Sequence, residues 1–268
     1  MKGGGLMTAQ HQPIGVFDSG VGGISTLAEL AHLLPGENFV YYGDTAHAPY
    51  GTKPREEVLS HVRTVMETLL HRQVKAVVIA CNTATAVAAA DLRARYDLPI
   101  IGMEPALKPA SEHRRQGRVL VLATPVTLTQ EKFARLYDRY GEGAVLLPCP
   151  GLMDLVEQED FAGAESYLQR LLEGYLSEPL DAVVLGCTHY VFLKPILRRM
   201  LPDTVEIFDG NLGVARQLRR VLAEKDLLLA NAGQGSIELS TSGDEKTVLP
   251  QMERLLERAR SLVLSEID

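Results

Sequence analysis

The sequence predicts an α/β protein of two similar parallel-sheet α/β units with one Cys in each; if the units face each other across a pseudo-two-fold axis, both thiols look into one cleft. Three observations carry this. Short apolar runs alternate with amphipathic stretches of helical period along most of the chain, as in βαβ units whose strands are buried on both faces. Residues 76–85, AVVIACNTAT, and 182–190, AVVLGCTHY, are versions of one motif: Ala-Val-Val, an aliphatic residue, a small residue, then Cys and a polar pair. Cys187 follows Cys81 by 106 residues (187 − 81), and about that offset lays 39–42 on 145–148 and 99–102 on 205–208, with 14–17 slightly nearer to 119–122. A period of this length is that of a domain, too long for a solenoid repeat. Each copy then carries one Cys at the carboxyl end of a strand, where open α/β sheets bind ligands.

The elements follow in order. Residues 14–17, IGVF, form a strand ending in the loop DSGVGG at 18–23. The loop lacks the G-x-G-x-x-G register of a dinucleotide fingerprint; its glycines suit a close backbone approach to a small ligand. Ile24, Leu27, Ala28, Ala31 and Leu34 share a helical face that Pro35-Gly36 ends. Strand 39–42 leads into GDTAHAPYG at 43–51, and Pro54 opens a helix with Val58, Val62, Val65 and Leu69 inside. The Cys81 strand, an Ala-rich helix and a strand at 99–103 follow, and Glu104-Pro105 begins a crossover helix. The second copy has a strand at 118–123, a helix from about Thr129 with Gly141 as its C-cap, a strand at 144–147 and a broken helical segment at 152–176. The Cys187 strand, a helix from about Phe192 and a strand at 205–208 complete it. The tail holds an amphipathic helix, a strand at 236–240 and a last helix with Met252, Leu255, Leu256, Ala259 and Leu262; it has no counterpart in the repeat.

Composition narrows the function. The 268 residues are 46% hydrophobic and carry a formal charge of −7, which argues against a nucleic-acid surface built from clustered Lys and Arg. No apolar run approaches the roughly 20 residues of a membrane span, and the first twelve residues read as a flexible tail without the apolar region of a signal peptide. Three Cys make no disulfide framework, so free thiols in the cytosol are expected. Cys149 reads as a small buried hydrophobe, His47 as a loop residue, and His32, His61, His71 and His113 as solvated helix surface.

Two matched thiols admit three chemistries. A metal site would want Cys pairs at short spacing, whereas only His189 and Asp44 offer help here. A Cys nucleophile with His189 as base leaves the second Cys unexplained. Two-base proton transfer uses both: inverting an α-carbon removes a proton from one face and returns one to the other. The Cys reference pKa of about 8.5 makes thiol and thiolate both accessible, and the polar pair after each Cys suits a helix N-terminus, which favours the thiolate.

The segments DSGVGG at 18–23, YYGDTAHAPYGTK at 41–53, ACNTAT at 80–85, MEPA at 103–106 and LGCTHY at 185–190 together resemble bacterial glutamate racemase, of the aspartate/glutamate racemase family. The resemblance implies a cofactor-independent enzyme that makes D-glutamate for peptidoglycan, with Cys81 and Cys187 as the two bases. It implies that Asp18 assists the first Cys and His189 the second. Ser19, Tyr50, Gly51, Asn82, Thr83 and Thr188 match substrate-contacting positions, Asp44 receives the substrate ammonium, and Glu157 is a further acidic position. It also implies two α/β domains related by a pseudo-two-fold axis, with the active site in the cleft between them and the tail returning to the first, giving domains at 13–104 with 211–268 and at 105–210, after the tail at 1–12. His47 stands where the family often has Arg. No cofactor or metal is expected: pyridoxal phosphate needs a site lysine, and the strand-end motifs offer only Lys53, at a loop's far end. Glutamate is the expected partner, with no nucleic acid and no membrane, and a homodimer is left open. Aspartate racemisation and a gyrase-binding protein are the alternative functions.

Overall fold

The computed structural model describes residues 9–229 and 233–265. Nine strands are assigned among them: β1 Ile14–Asp18, β2 Phe39–Gly43, β3 Ala76–Ile79, β4 Ile100–Gly102, β5 Arg118–Ala123, β6 Ala144–Pro148, β7 Leu180–Leu185, β8 Glu206–Phe208 and β9 Ile237–Thr241. They form two sheets, in the orders β4-β3-β1-β2-β9 and β6-β5-β7-β8. Reversed, the second reads β8-β7-β5-β6, the order of the first four strands of the first sheet. All pairings are parallel. The duplication seen as an offset in the sequence is thus a repeated topology, with β3 and β7, the two Cys strands, in equivalent places.

The composition of the strands explains their position. Every residue of β1 and β3 is buried, as is β7 from Ala182 onward; such strands need helices on both faces. The helix Ile24–Leu33 buries Ile24, Leu27, Ala28 and Leu30. The helix Arg55–His71 buries Val58, Val62, Val65, Met66 and Leu69. The tail adds β9 to the first sheet beside β2, in register from Phe39 opposite Ile237 to Gly43 opposite Thr241. The final helix, Glu245–Ser265, packs on the helix Ile24–Leu33.

Several local readings change. Residues 1–8 of the expected tail lie outside the described residues, but Ala9–His11 form a 3-10 turn, and the Gln10 side chain donates to the Asp226 carbonyl at 3.0 Å. The helix expected from Thr129 is two, Pro125–Thr129 and Glu131–Tyr140. Gly141 caps the second as expected, at φ −85, and Gly143, two residues on, is left-handed at φ 72. Asp209 is more than a turn former, since its Oδ2 lies 2.5 Å from Lys194 Nζ. His61 and His113 are half-buried rather than solvated.

A buried ion pair ties the chain's beginning to its tail. Lys75 Nζ lies 2.6 Å from Glu37 Oε2 and donates to the carbonyls of Gln10 and Leu227, while Glu37 Oε1 accepts from the Leu229 amide. Both side chains are at most 2% exposed, so removing one partner strands a charge in the interior. Lys75→Met is expected to cost about 3–5 kcal/mol of stability in urea unfolding; a loss under about 1 kcal/mol would show the pair to be energetically idle.

Candidate active site

The carboxyl ends of the two sheets face one cavity of about 270 Å³. Cys81 and Cys187 both line it, with Asp18, Ser19, Tyr50, Gly51, Asn82, Thr83, Thr188 and His189. Strand ends from both copies of the repeat therefore contribute.

Cys81 is the N-cap of the helix Asn82–Arg95: its Sγ accepts from the Ala84 amide at 3.4 Å, as a serine cap would. Ser19 Oγ lies 3.5 Å from the same sulfur. The helix terminus was expected to favour the thiolate, but burial outweighs it. Burial pushes the Cys81 thiol up to about 12, with the charge of Asp18 adding, against the hydrogen bonds from Ser19 and Ala84. Asp18 is itself raised above the usual carboxylate range by burial, although His189 and the Gly20 amide, 2.8 Å from Oδ1, favour its charge.

Cys187 departs from the expected helix start. It precedes a 3-10 helix, Thr188–Leu193, and makes no side-chain capping bond. Its Sγ faces His189 Nδ1 at 3.6 Å, and His189 Nε2 lies 3.0 Å from Glu157 Oε1. Burial disfavours the imidazolium, but the bonds to Cys187 and Glu157 outweigh burial and hold His189 well above its ordinary value. For Glu157, burial likewise opposes the charge, and the bond to His189 wins, holding it below the usual range. Glu157, read from the sequence as a further acidic position, joins the site through His189 and does not line the cavity wall.

Asp44 is also displaced from its expected role. Oδ1 lies 2.8 Å from His47 Nδ1, and Oδ2 accepts from the Tyr50 hydroxyl at 2.5 Å. It does not line the cavity, and so supports Tyr50 from behind. Asn82 presents the opposite case: its Oδ1 is buried with no hydrogen-bond partner among the described residues, on a side chain that lines the cavity.

Two glycines of DSGVGG, Gly20 and Gly22, serve the approach of the two copies rather than of a ligand. A Cβ on Gly20 would sit 2.6 Å from Glu157 Oε1, and one on Gly22 would sit 2.6 Å from Thr188 Oγ1 and collide with the His189 ring. The Thr188 hydroxyl donates to Asp18 Oδ2 at 3.3 Å across the same junction.

Cys149 and Thr124 are among the wall residues that the sequence motifs did not mark. Cys149 lines the cavity, and its thiol, pushed up to about 12 by burial with Cys187 adding, donates to the Leu147 carbonyl at 3.2 Å. Thr124 caps the helix Pro125–Thr129, with Oγ1 accepting from the Thr127 amide at 3.3 Å. The repeat itself points to Thr124: aligning Ile14 with Val119 lays Ser19 on it.

The His189–Glu157 pair gives a pH signature. A raised His189 contributes stability that is full below its unfolded pKa and lost as pH rises through its folded one. A lowered Glu157 contributes stability that is full above its unfolded pKa and lost as pH falls through its folded one. The pair therefore stabilises most between the two unfolded values, roughly 4.3 and 6.5. Glu157→Gln is expected to move the His189 titration, followed by NMR of the imidazole, to lower pH; an unchanged midpoint would exclude the pairing.

Comparison with known proteins agrees with this architecture. The family model Asp/Glu/Hydantoin racemase matches residues 18–218. The glutamate racemase of Clostridium perfringens is 44% identical over 253 residues, 92% of this chain and 97% of that protein. Among solved structures, a glutamate racemase isoform from Bacillus anthracis matches at a TM-score of 0.80 and 31% identity, covering 92% of this chain and 95% of that one. The Escherichia coli glutamate racemase, solved with L-glutamate and an activator, matches at 0.79 and 30%, covering 91% and 95%. With both cysteine strands inside the matched region and the whole two-sheet architecture shared, this chain belongs to the Asp/Glu/Hydantoin racemase family.

Proposed function

We propose that this racemase interconverts L- and D-glutamate without a cofactor, Cys81 and Cys187 exchanging protons with the α-carbon from opposite faces. The observation that carries the reading is the repeated placement of the thiols. Each ends the equivalent strand of its sheet, both line one cavity, and each has its own polar escort: Ser19 and Asp18 beside Cys81, His189 and Glu157 beside Cys187. The glutamate racemase relatives, one of them solved with L-glutamate, support glutamate as the substrate.

In the proposed step one cysteine, as thiolate, takes the α-proton, and the electron pair left on carbon delocalises into the substrate carboxylate. The opposite cysteine, as thiol, returns a proton to the other face. The enzyme ends with thiol and thiolate exchanged and is ready for the reverse direction. The buried cavity holds the Cys81 thiol protonated, so the substrate must help create the thiolate. Its ammonium brings in positive charge, the sign that lowers the pKa of both Cys81 and Asp18. The unpartnered Asn82 Oδ1 is the acceptor we assign to that ammonium, in place of Asp44. Hydroxyls of Ser19, Thr83 and Thr188, with amides at the start of the helix Asn82–Arg95, hold the carboxylates. Tyr50 and Gly51 form the facing wall, kept in place by Asp44. The product D-glutamate serves peptidoglycan synthesis, as the family resemblance implies.

The test is turnover of each glutamate enantiomer in heavy water, followed by optical rotation and by deuterium at the α-carbon. The parent protein is expected to interconvert the enantiomers with deuterium incorporated. Cys81→Ser and Cys187→Ser are each expected to lose about 10²–10⁴-fold in racemisation, the usual worth of a positioned acid or base. Full activity in either variant defeats the two-thiol mechanism; exchange with aspartate in place of glutamate keeps the mechanism and overturns the substrate.

A further inference from the structure

Between the loop that forms the Tyr50 wall and the helix that follows it lies a cluster with no part in the proton transfer itself. Asp44, His47 and His61 bring one carboxylate oxygen and two imidazole nitrogens within 4.8 Å of one another. His47 lies on the 3-10 turn Thr45–His47, and His61 on the helix Arg55–His71. Their rings stack at a centroid separation of 4.0 Å.

We propose that Asp44, His47 and His61 form a site for one divalent transition-metal ion of the zinc class, behind the loop residues that line the cavity. The donor set suits it: two imidazoles and a carboxylate, with a fourth position for water, is a common zinc arrangement and also accepts cobalt and nickel. Bonds of about 2.0–2.2 Å require the three donor atoms to lie about 3.4 Å apart in a tetrahedral site. Asp44 and His47 are already closer, at 2.8 Å, and a side-chain rotation of His47, which is 44% exposed, admits the ion between them. The supporting groups are present as well. The Tyr50 hydroxyl donates to the second oxygen of Asp44, and Glu57 Oε1 lies 3.4 Å from His61 Nε2. Outer partners of this kind orient carboxylate and imidazole ligands around a bound ion.

The ion ties the loop at Asp44–His47 to the helix that carries His61, and it binds the carboxylate that anchors Tyr50. Its occupancy therefore acts on the cavity wall from outside, without touching either thiol. This site is independent of which amino acid the cavity turns over.

Cobalt(II) titration of the full chain tests the site, because cobalt absorption distinguishes its ligands. One cobalt per chain is expected, with ligand-field absorption and no thiolate charge-transfer band. His47→Asn and His61→Asn are each expected to weaken that binding at least tenfold while circular dichroism stays native. His47 is exposed enough that its variant folds even if the His61 variant does not. Undiminished affinity in His47→Asn overturns the proposal. So does a thiolate band accounting for all bound cobalt, which puts the ion at the catalytic cysteines. So does the absence of binding at millimolar cobalt, which leaves the cluster as a hydrogen-bonded ring stack.

Discussion

The site depends on a contact between backbone and side chain where the two copies of the fold meet. The first copy presents Gly20 and Gly22 to Glu157, Thr188 and His189 of the second, at a distance that excludes even a methyl group. Asp18 and Thr188 are hydrogen-bonded across the same junction. Because the loop follows β1 directly, and β1 lies beside the Cys81 strand, the contact fixes one sheet's end against the other's. The relative position of the thiols is thus set by rigid strands and a tight seam.

The two halves surround their thiols differently. Cys81 receives an amide from a helix start, a hydroxyl and the charge of a buried carboxylic group; Cys187 receives an imidazole backed by a carboxylate. A duplicated fold thus supplies equivalent positions, while local sequence makes their proton chemistry unequal. Burial is the common background. It raises Cys81, Asp18 and Cys149 together, so charge entering the cavity is felt strongly by all three.

The fold was legible because buried parallel strands are written as apolar runs, and a duplication writes them twice. Cys81 and Cys187 stood out for the same reason, each just past a repeated strand, whereas Asp18, Ser19 and the assisting role of His189 came from the family resemblance; all five line the cavity. What escaped depends on direction in space. Nothing in GDTAHAPYG says that Asp44 turns to Tyr50 and His47 and away from the cavity. Glu157 was found, but its place behind His189 depends on how the helix Leu152–Glu157 meets a strand end far away in sequence. The DSGVGG glycines signalled a close approach without naming the neighbour. Gly141 caps its helix as the sequence indicated, and the left-handed residue lies two positions on, at Gly143.

The final helix reaches further than its position in the sequence suggests. Gln251 donates to the backbone carbonyl of Glu157, and Arg254 pairs with Glu159. The residue that backs His189 is therefore held from behind by the last segment of the chain. During synthesis, both cysteines and every wall residue of the cavity leave the ribosome before this helix does. The proton-handling side of the site therefore acquires this support only after its own residues have been made.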